Sequence, residues 1–95
     1  MVTHVVIFTW KADTAQDEVE KLGRALDALA AGMGDMVSIS HGADLRFRDG
    51  NGDYALVASF RDRAGWDAYQ ADARHKAFVR DYVTPIQASR VAIQF

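Results

Sequence analysis

The sequence predicts an α+β fold of βαββαβ order, in which a four-stranded antiparallel sheet carries both helices on one face. Three observations lead to this prediction. Alternating apolar residues near both ends of the chain indicate strands, and two internal stretches have the three-to-four-residue spacing of amphipathic helices. A glycine-rich polar turn separates two further strand-like segments. The length of 95 residues predicts a single domain spanning residues 1–95.

The first strand is predicted from Val2 to Trp10, a run of β-branched and aromatic residues that is largely apolar on both faces. A helix follows, because apolar residues then recur every three or four positions. These residues are Val19, Leu22, Leu26, Leu29, Ala30 and Met33. We expect Thr14 to be the N-cap of this helix and Gly32 or Gly34 to end it.

The second and third strands are predicted from Met36 to Asp44 and from Asp53 to Phe60. They should form a hairpin around the long polar loop that is centred on Asp49-Gly50-Asn51-Gly52. Because side chains alternate along a strand, Tyr54 and Phe60 should share one face of the third strand.

The second crossover is predicted to contain two helical segments. Asp62 is a suitable N-cap for the first segment, and Asp72 is suitable for a second segment reaching about Tyr82. Pro85 should end the helix, and the last strand is predicted from Arg90 to Phe95.

The composition excludes several classes of function. The formal net charge of -2 supplies no cationic field for nucleic acid, and the absence of cysteine excludes thiol catalysis and disulfides. The apolar N-terminus is too short for a membrane span and lacks a signal-peptide pattern. We therefore expect a cytoplasmic protein without nucleic-acid or membrane partners.

One face of the predicted sheet has no helix to cover it. In the first strand this face holds Val5 and Ile7, and in the third strand it holds Ala55 and Val57. An apolar surface of this kind favours contact with a second copy of the chain, which predicts a homodimer paired through the sheet. A monomer with a mixed surface is the alternative.

Tyr69 and His75 are the most informative pair for chemistry. Six residues at about 100° each would place them roughly 120° apart on an unbroken helix. A helix break at Asp72, whose carboxylate would accept from the N–H of His75, could turn both toward one point. The positive helix end would then keep the imidazole of His75 neutral and able to accept a proton.

His4 should face the helices together with Val6 and Phe8, which predicts a largely apolar pocket that also contains Tyr69 and His75. The predicted catalytic residues are His75, Tyr69 and His4. The predicted pocket-lining residues are Val6, Phe8, Trp66, Phe78, Val79 and Tyr82. The alternative is that both histidines and the tyrosine are core residues with satisfied polar atoms.

Other polar residues have simpler interpretations. We expect His41 to be a solvated turn residue. No two histidines have i, i+4 spacing and the chain has no Cys, so we expect no metal, although carboxylates could in principle complete a site. We also expect no cofactor. The loop Asp49-Gly50-Asn51-Gly52-Asp53 lacks the downstream Glu of a calcium loop. Six arginines could line an anion entrance, although a solvated mixed-charge surface explains them as well. They are Arg46, Arg48, Arg61, Arg63, Arg74 and Arg80.

Several segments together resemble the stress-responsive dimeric α/β-barrel family, called Dabb. They are residues 4–11 (HVVIFTWK), 42–44 (GAD), 54–60 (YALVASF) and 69–78 (YQADARHKAF). The resemblance covers nearly the whole chain and implies a ferredoxin-like protomer that pairs through its sheet into a dimeric α/β barrel.

The resemblance also implies a chemistry. A plant polyketide cyclase of this family uses a Tyr and a His six residues apart, with a further His near the start of the first strand. The matching positions are Tyr69, His75 and His4. This similarity implies that His75 removes a proton next to a ketone, that Tyr69 polarises the carbonyl and that His4 assists orientation, in an aldol or Claisen-type ring closure without a cofactor.

Two other functions fit the same fold. One is a noncatalytic, stress-responsive homodimer, which a collapsed interior beside His75 would favour. The other is a monooxygenase, either cofactor-independent or haem-degrading. The haem-degrading kind carries a set of Asn, Trp and His residues, with the Asn in the first strand. The single Asn of this chain is Asn51, in the hairpin loop.

Overall fold

The computed structural model describes residues 1–95 and has the predicted βαββαβ order. The elements are β1 (Val2–Trp10), α1 (Gln16–Ala31), β2 (Met36–Ala43), β3 (Tyr54–Phe60), α2 (Arg63–Ala71), α3 (Ala73–Phe78) and β4 (Gln87–Gln94). The sheet order is β2-β3-β1-β4, and each neighbouring pair is antiparallel. The predicted α+β ferredoxin-like fold is therefore confirmed.

The core lies between the helices and one face of the sheet, the inner face. In α1, the buried side chains are the predicted Val19, Leu22, Leu26 and Leu29. The inner face contributes buried residues from the two central strands, among them Val6, Phe8, Leu56, Ala58 and Phe60. Burial of each large apolar side chain contributes roughly 1.5–3 kcal/mol, which holds the helices on this face.

The prediction that Thr14 caps α1 is wrong. The N-cap is Ala15, whose side chain has no acceptor, and Thr14 instead closes a turn in which its N–H donates to the carbonyl of Lys11 at 3.1 Å. The carboxylates of Asp17 and Glu18 in the first turn stabilise the helix instead, because negative charge interacts favourably with the positive end of the helix dipole. The helix ends at Gly32, as predicted.

The second crossover is broken at Asp72. Asp62 caps α2 by accepting from the N–H of Gly65 at 2.9 Å, and Asp72 has extended backbone (φ -66°, ψ 131°) between α2 and α3. Both predicted caps are confirmed. A π-helical turn, Val79–Val83, follows α3 before the chain enters β4.

The hairpin loop is stabilised by its own carboxylates. Asp44 accepts from the backbone N–H of Arg46 at 2.9 Å and from the side chain of Asn51 at 3.1 Å. Asp53 accepts from the N–H of Trp10 at 2.7 Å and pairs with the Arg46 guanidinium, and these contacts lower the pKa of its carboxyl. The loop carboxylates therefore hold the hairpin against the end of β1.

The last strand begins at Gln87, three residues before its predicted start, because Trp10 pairs with Gln87 across a register shift in β1. In this register Val91 lies opposite Ile7, and Ile93 lies opposite Val5. These residues belong to the outer face of the sheet, which no helix covers, and Val91 and Ile93 are 70% and 58% exposed. The apolar uncovered face predicted from the sequence is present.

Candidate functional site

A cavity of about 490 Å³ lies between the inner face of the sheet and the second crossover. This volume is within the range of small-molecule sites. Its apolar lining residues are Val6, Phe8, Leu56, Phe78, Val79 and Val83, with Tyr69 beside them, and its polar lining residues are His4, Gln70, His75, Lys76, Arg80, Thr84, Gln87 and Arg90. All three predicted catalytic residues therefore line one cavity.

Tyr69 and His75 lie together because the helix axis changes at Asp72. Their ring centroids are 4.1 Å apart, with an angle of 38° between the ring planes. The carboxylate of Asp72 accepts its short backbone hydrogen bond from the N–H of Arg74, at 2.7 Å. The N–H of His75, which we predicted as the donor, contributes only weakly to this cap.

His75 is held as a neutral ring. Burial lowers its pKa, and the nearby charge of Arg90 adds to this, while the Gln70 carbonyl and Asp72 act in the opposite direction. The lowered pKa agrees with the predicted neutral ring. Its principal cause, however, is burial and not the positive end of the helix dipole that the sequence analysis invoked. Nδ1 is buried without a well-directed hydrogen-bond partner.

Tyr69 is 3% exposed, and its ring packs against Phe60 with centroids 5.2 Å apart. Burial raises the pKa of its phenol to about 12. Because the phenol stays protonated at neutral pH, Tyr69 can act in the cavity as a hydrogen-bond donor.

His4 is buried, and the two side chains beside its Nδ1 determine its tautomer. Trp66 Nε1 lies 3.3 Å from Nδ1, and Gln94 Nε2 lies 3.0 Å from it. An indole N–H can only donate, so Nδ1 accepts and the proton of the neutral ring is on Nε2. Burial is the largest cause of the lowered pKa of His4. Positive charge on His75, when that ring is protonated, and on Arg90 lowers this pKa further.

Two predicted lining residues do not line the cavity. Trp66 lies beside His4, with ring centroids 6.0 Å apart, and contacts its Nδ1. Tyr82 is 40% exposed and stacks on Phe78. The π-helical turn takes more residues per turn than an α-helix, so Tyr82 leaves the stripe that His75 and Phe78 share.

The prediction that His41 is a solvated turn residue is wrong. His41 lies in β2, where its Nε2 donates to Asp27 of α1 and its Nδ1 contacts the Tyr54 hydroxyl, both at 2.6 Å. Gly23 makes room for this cluster, since a Cβ there would lie 3.1 Å from the Tyr54 hydroxyl. Burial and the charge of Asp27 raise the pKa of Tyr54. None of these residues lines the cavity, so this cluster ties α1 to the sheet.

The sequence analysis missed Lys76 and Arg90, two cations that line the cavity. Of the six arginines considered for an anion entrance, only Arg80 lines the cavity. The guanidinium of Arg80 pairs with the carboxylate of Asp81 at 2.8 Å. The alternation of β4 could have indicated Arg90, because Arg90 and Gln94 share the strand face opposite Val91.

The fold and cavity define a ferredoxin-like α+β protein with a small-molecule-sized site that is open to solvent on one side. The chain belongs to the Dabb family, the stress responsive A/B barrel domain, whose sequence pattern matches residues 2–95. None of the helices combines the length and apolar character needed to cross a membrane.

Similar solved structures include several dimers. A dimeric ferredoxin-like protein of unknown function from Thermobifida fusca is 35% identical, with a TM-score of 0.92 over 99% of this chain and 88% of that chain. Hydroxynitrile lyase from Passiflora edulis is 17% identical, with a TM-score of 0.87 over 99% of this chain and 90% of that chain.

A third similar structure is SnoaB, a cofactor-independent oxygenase from Streptomyces nogalater. It is 19% identical, with a TM-score of 0.78 over 99% of this chain and 89% of that chain. At such identities the two enzymes share the fold with this chain, and the fold alone assigns no activity. No protein of curated function matches the sequence.

Proposed function

We propose that this protein binds a small molecule in the cavity and catalyses proton transfer at the carbon next to a ketone, with His75 as the general base. The observation that carries the proposal is the contact between the His75 and Tyr69 rings, 4.1 Å apart between centroids, on the wall of a cavity of about 490 Å³. A neutral imidazole beside a protonated phenol is suited to removing a proton while stabilising the resulting enolate.

The reaction proposed is an intramolecular aldol or Claisen-type ring closure. His75 takes the proton from the α-carbon, and the Tyr69 hydroxyl donates a hydrogen bond to the enolate oxygen. The enolate carbon then forms a bond to a second carbonyl of the same molecule. In the aldol case, the imidazolium of His75 returns the proton to the new alkoxide. In the Claisen-type case, the second carbonyl belongs to an ester or thioester, and the alcohol or thiol leaves with the proton from His75. The Nε2–H of His4 supplies a second donor that orients the substrate.

We also propose that two copies of the chain pair through the outer face of the sheet. The exposed Val91 and Ile93 support this pairing, together with Ile7 and Val57 on the neighbouring strands. Solved relatives of this chain are described as dimeric. Burial of this face would remove apolar surface from water and complete the barrel.

A noncatalytic stress-responsive homodimer is the second candidate, and a packed interior beside His75 would favour it. The open cavity supports small-molecule binding instead. The haem-degrading monooxygenase interpretation has less support, because Asn51 lies in the hairpin loop and bonds to Asp44.

The test is proton exchange at a ketone. Benzylacetone, a simple ketone, is incubated with the protein in D₂O, and loss of its α-proton signal is followed by NMR. We expect the protein to accelerate exchange and His75→Gln to abolish the acceleration.

His41→Gln is the matched control, because it makes the same chemical change outside the cavity. It should keep the acceleration after both variants are shown to be folded by circular dichroism. Equal exchange rates for the native protein and His75→Gln would reject the proposed base.

A further inference from the structure

The charges around the cavity all have one sign. Lys76, Arg80 and Arg90 line it, and no acidic residue does. The chain as a whole contains 13 acidic and 11 basic residues, so this bias is not a consequence of composition.

Two of these cations have no partner within the protein. Arg80 is neutralised by Asp81, to which it makes two hydrogen bonds. The seven ion pairs of the structure leave out Lys76 and Arg90. Lys76 and Arg90 are solvent-exposed at the edge of the cavity, where a ligand carboxylate can replace their water contacts with charge-assisted hydrogen bonds.

Arg90 lies next to the proposed catalytic histidines. It is opposite Phe8 in the register between β4 and β1, on the face that also holds Gln94. Its charge contributes to the lowered pKa of both His4 and His75, as expected for a guanidinium near both rings. Lys76 on α3 lines the same cavity as Arg90 and the two histidine rings.

We propose that the ligand of this cavity is a small organic carboxylate. Its carboxylate pairs with Arg90 and Lys76, and its apolar body lies against Val6, Phe8 and Leu56. A planar guanidinium matches the two oxygens of a carboxylate, and the apolar wall requires a carbon skeleton that an inorganic anion lacks. This inference rests on the proposed function and specifies its substrate class as a keto acid.

Binding of two probes of nearly equal shape tests the proposal. Cinnamate carries the carboxylate, and cinnamamide replaces it with a neutral amide. By isothermal titration calorimetry, we expect cinnamate to bind about tenfold more tightly or better, the effect of one charge-assisted hydrogen bond. Arg90→Met should remove this preference, whereas Arg90→Lys should retain part of it.

Arg61→Met is the matched control, because Arg61 is an exposed arginine outside the cavity. It should keep the full preference for cinnamate. Equal affinities for the two probes, failure of both probes to bind, or an unchanged preference in folded Arg90→Met would overturn the proposal. Binding of inorganic phosphate at the same site as tightly as cinnamate would also overturn the proposal, since it would indicate a general anion site.

The binding test is independent of catalysis. His75→Gln should still prefer cinnamate, because the carboxylate contacts remain. Loss of the preference in Arg90→Met together with normal proton exchange in His75→Gln would reject only the proposed function. An unchanged preference for cinnamate in Arg90→Met, together with loss of proton exchange in His75→Gln, would reject only the carboxylate ligand.

Discussion

Tyr69 and His75 place their ring centroids 4.1 Å apart although an unbroken helix would direct them roughly 120° from each other. The single extended residue Asp72 between α2 and α3 resolves this conflict. A local change of backbone direction therefore assembles the proposed base and its hydrogen-bond donor.

Removal of the Asp72 cap should affect both stability and the site. Asp72→Ala leaves N–H groups at the start of α3 without their acceptor, and Asp62→Ala does the same for α2. Both variants should lower the midpoint of urea unfolding. Only Asp72→Ala should also slow benzylacetone exchange, because only this cap positions His75 against Tyr69. Equal slowing in both variants would show that the break has no specific role.

The pH dependence of exchange should report a neutral imidazole. Because burial lowers the pKa of His75, the rate should rise from acid and level off with an apparent pKa below the ordinary histidine value of 6.5. No loss of activity is expected near pH 10, because the pKa of Tyr69 is about 12. A midpoint above 6.5 measured by NMR would contradict the neutral, desolvated ring.

Stability should fall when the pH is lowered below 6.5. The unfolded chain then binds protons at His4 and His75, whereas the folded chain, with both pKa values lowered, resists protonation. Urea titrations at pH 7.5 and at pH 5.5 should show this loss. The double variant His4→Gln with His75→Gln should show a smaller one, and an unchanged difference would refute this assignment.

The tautomer of His4 can be observed directly. Two-bond ¹H–¹⁵N correlation spectra should show the proton on Nε2, since Trp66 and Gln94 both donate to Nδ1. Gln94→Glu places a carboxylate acceptor there and should raise the pKa of His4, whereas Gln94→Met should leave the Trp66 contact and the tautomer intact. A proton on Nδ1 in the native protein would contradict the structure.

Charge on the outer face of the sheet should separate the proposed dimer. Ile93→Asp would bury a carboxylate at the interface, where it has no partner, and so should yield monomers by sedimentation analysis. Ala28→Asp on the exposed side of α1 is the control and should remain dimeric. A native protein that sediments as a monomer would reject the pairing.

The sequence predicted most of the architecture because periodicity is a local property. The alternation in β1 and β3 separated the inner and outer faces, and the polar residue Asp72 indicated the helix break. The wrong assignments arose where a local turn or a partner on another element decided the answer. Thr14 fits a helix cap by residue type, but it lies in a turn with Lys11 and the helix begins after Ala15.

His41 illustrates the same limit. Its partners Asp27 and Tyr54 lie on different elements, and no regular spacing connects the three residues. The position of Tyr82 likewise depended on a π-helical turn that residue spacing does not encode.

The sequence by itself determined the order of strands and helices, the apolar outer face of the sheet and the three residues proposed for chemistry. Only the tertiary structure decided the cavity, the tautomer of His4 and the convergence of Lys76 and Arg90 on one space. The reason is physical: helix and strand patterns follow from neighbours along the chain, whereas a cavity and its charges depend on side chains that only packing brings together.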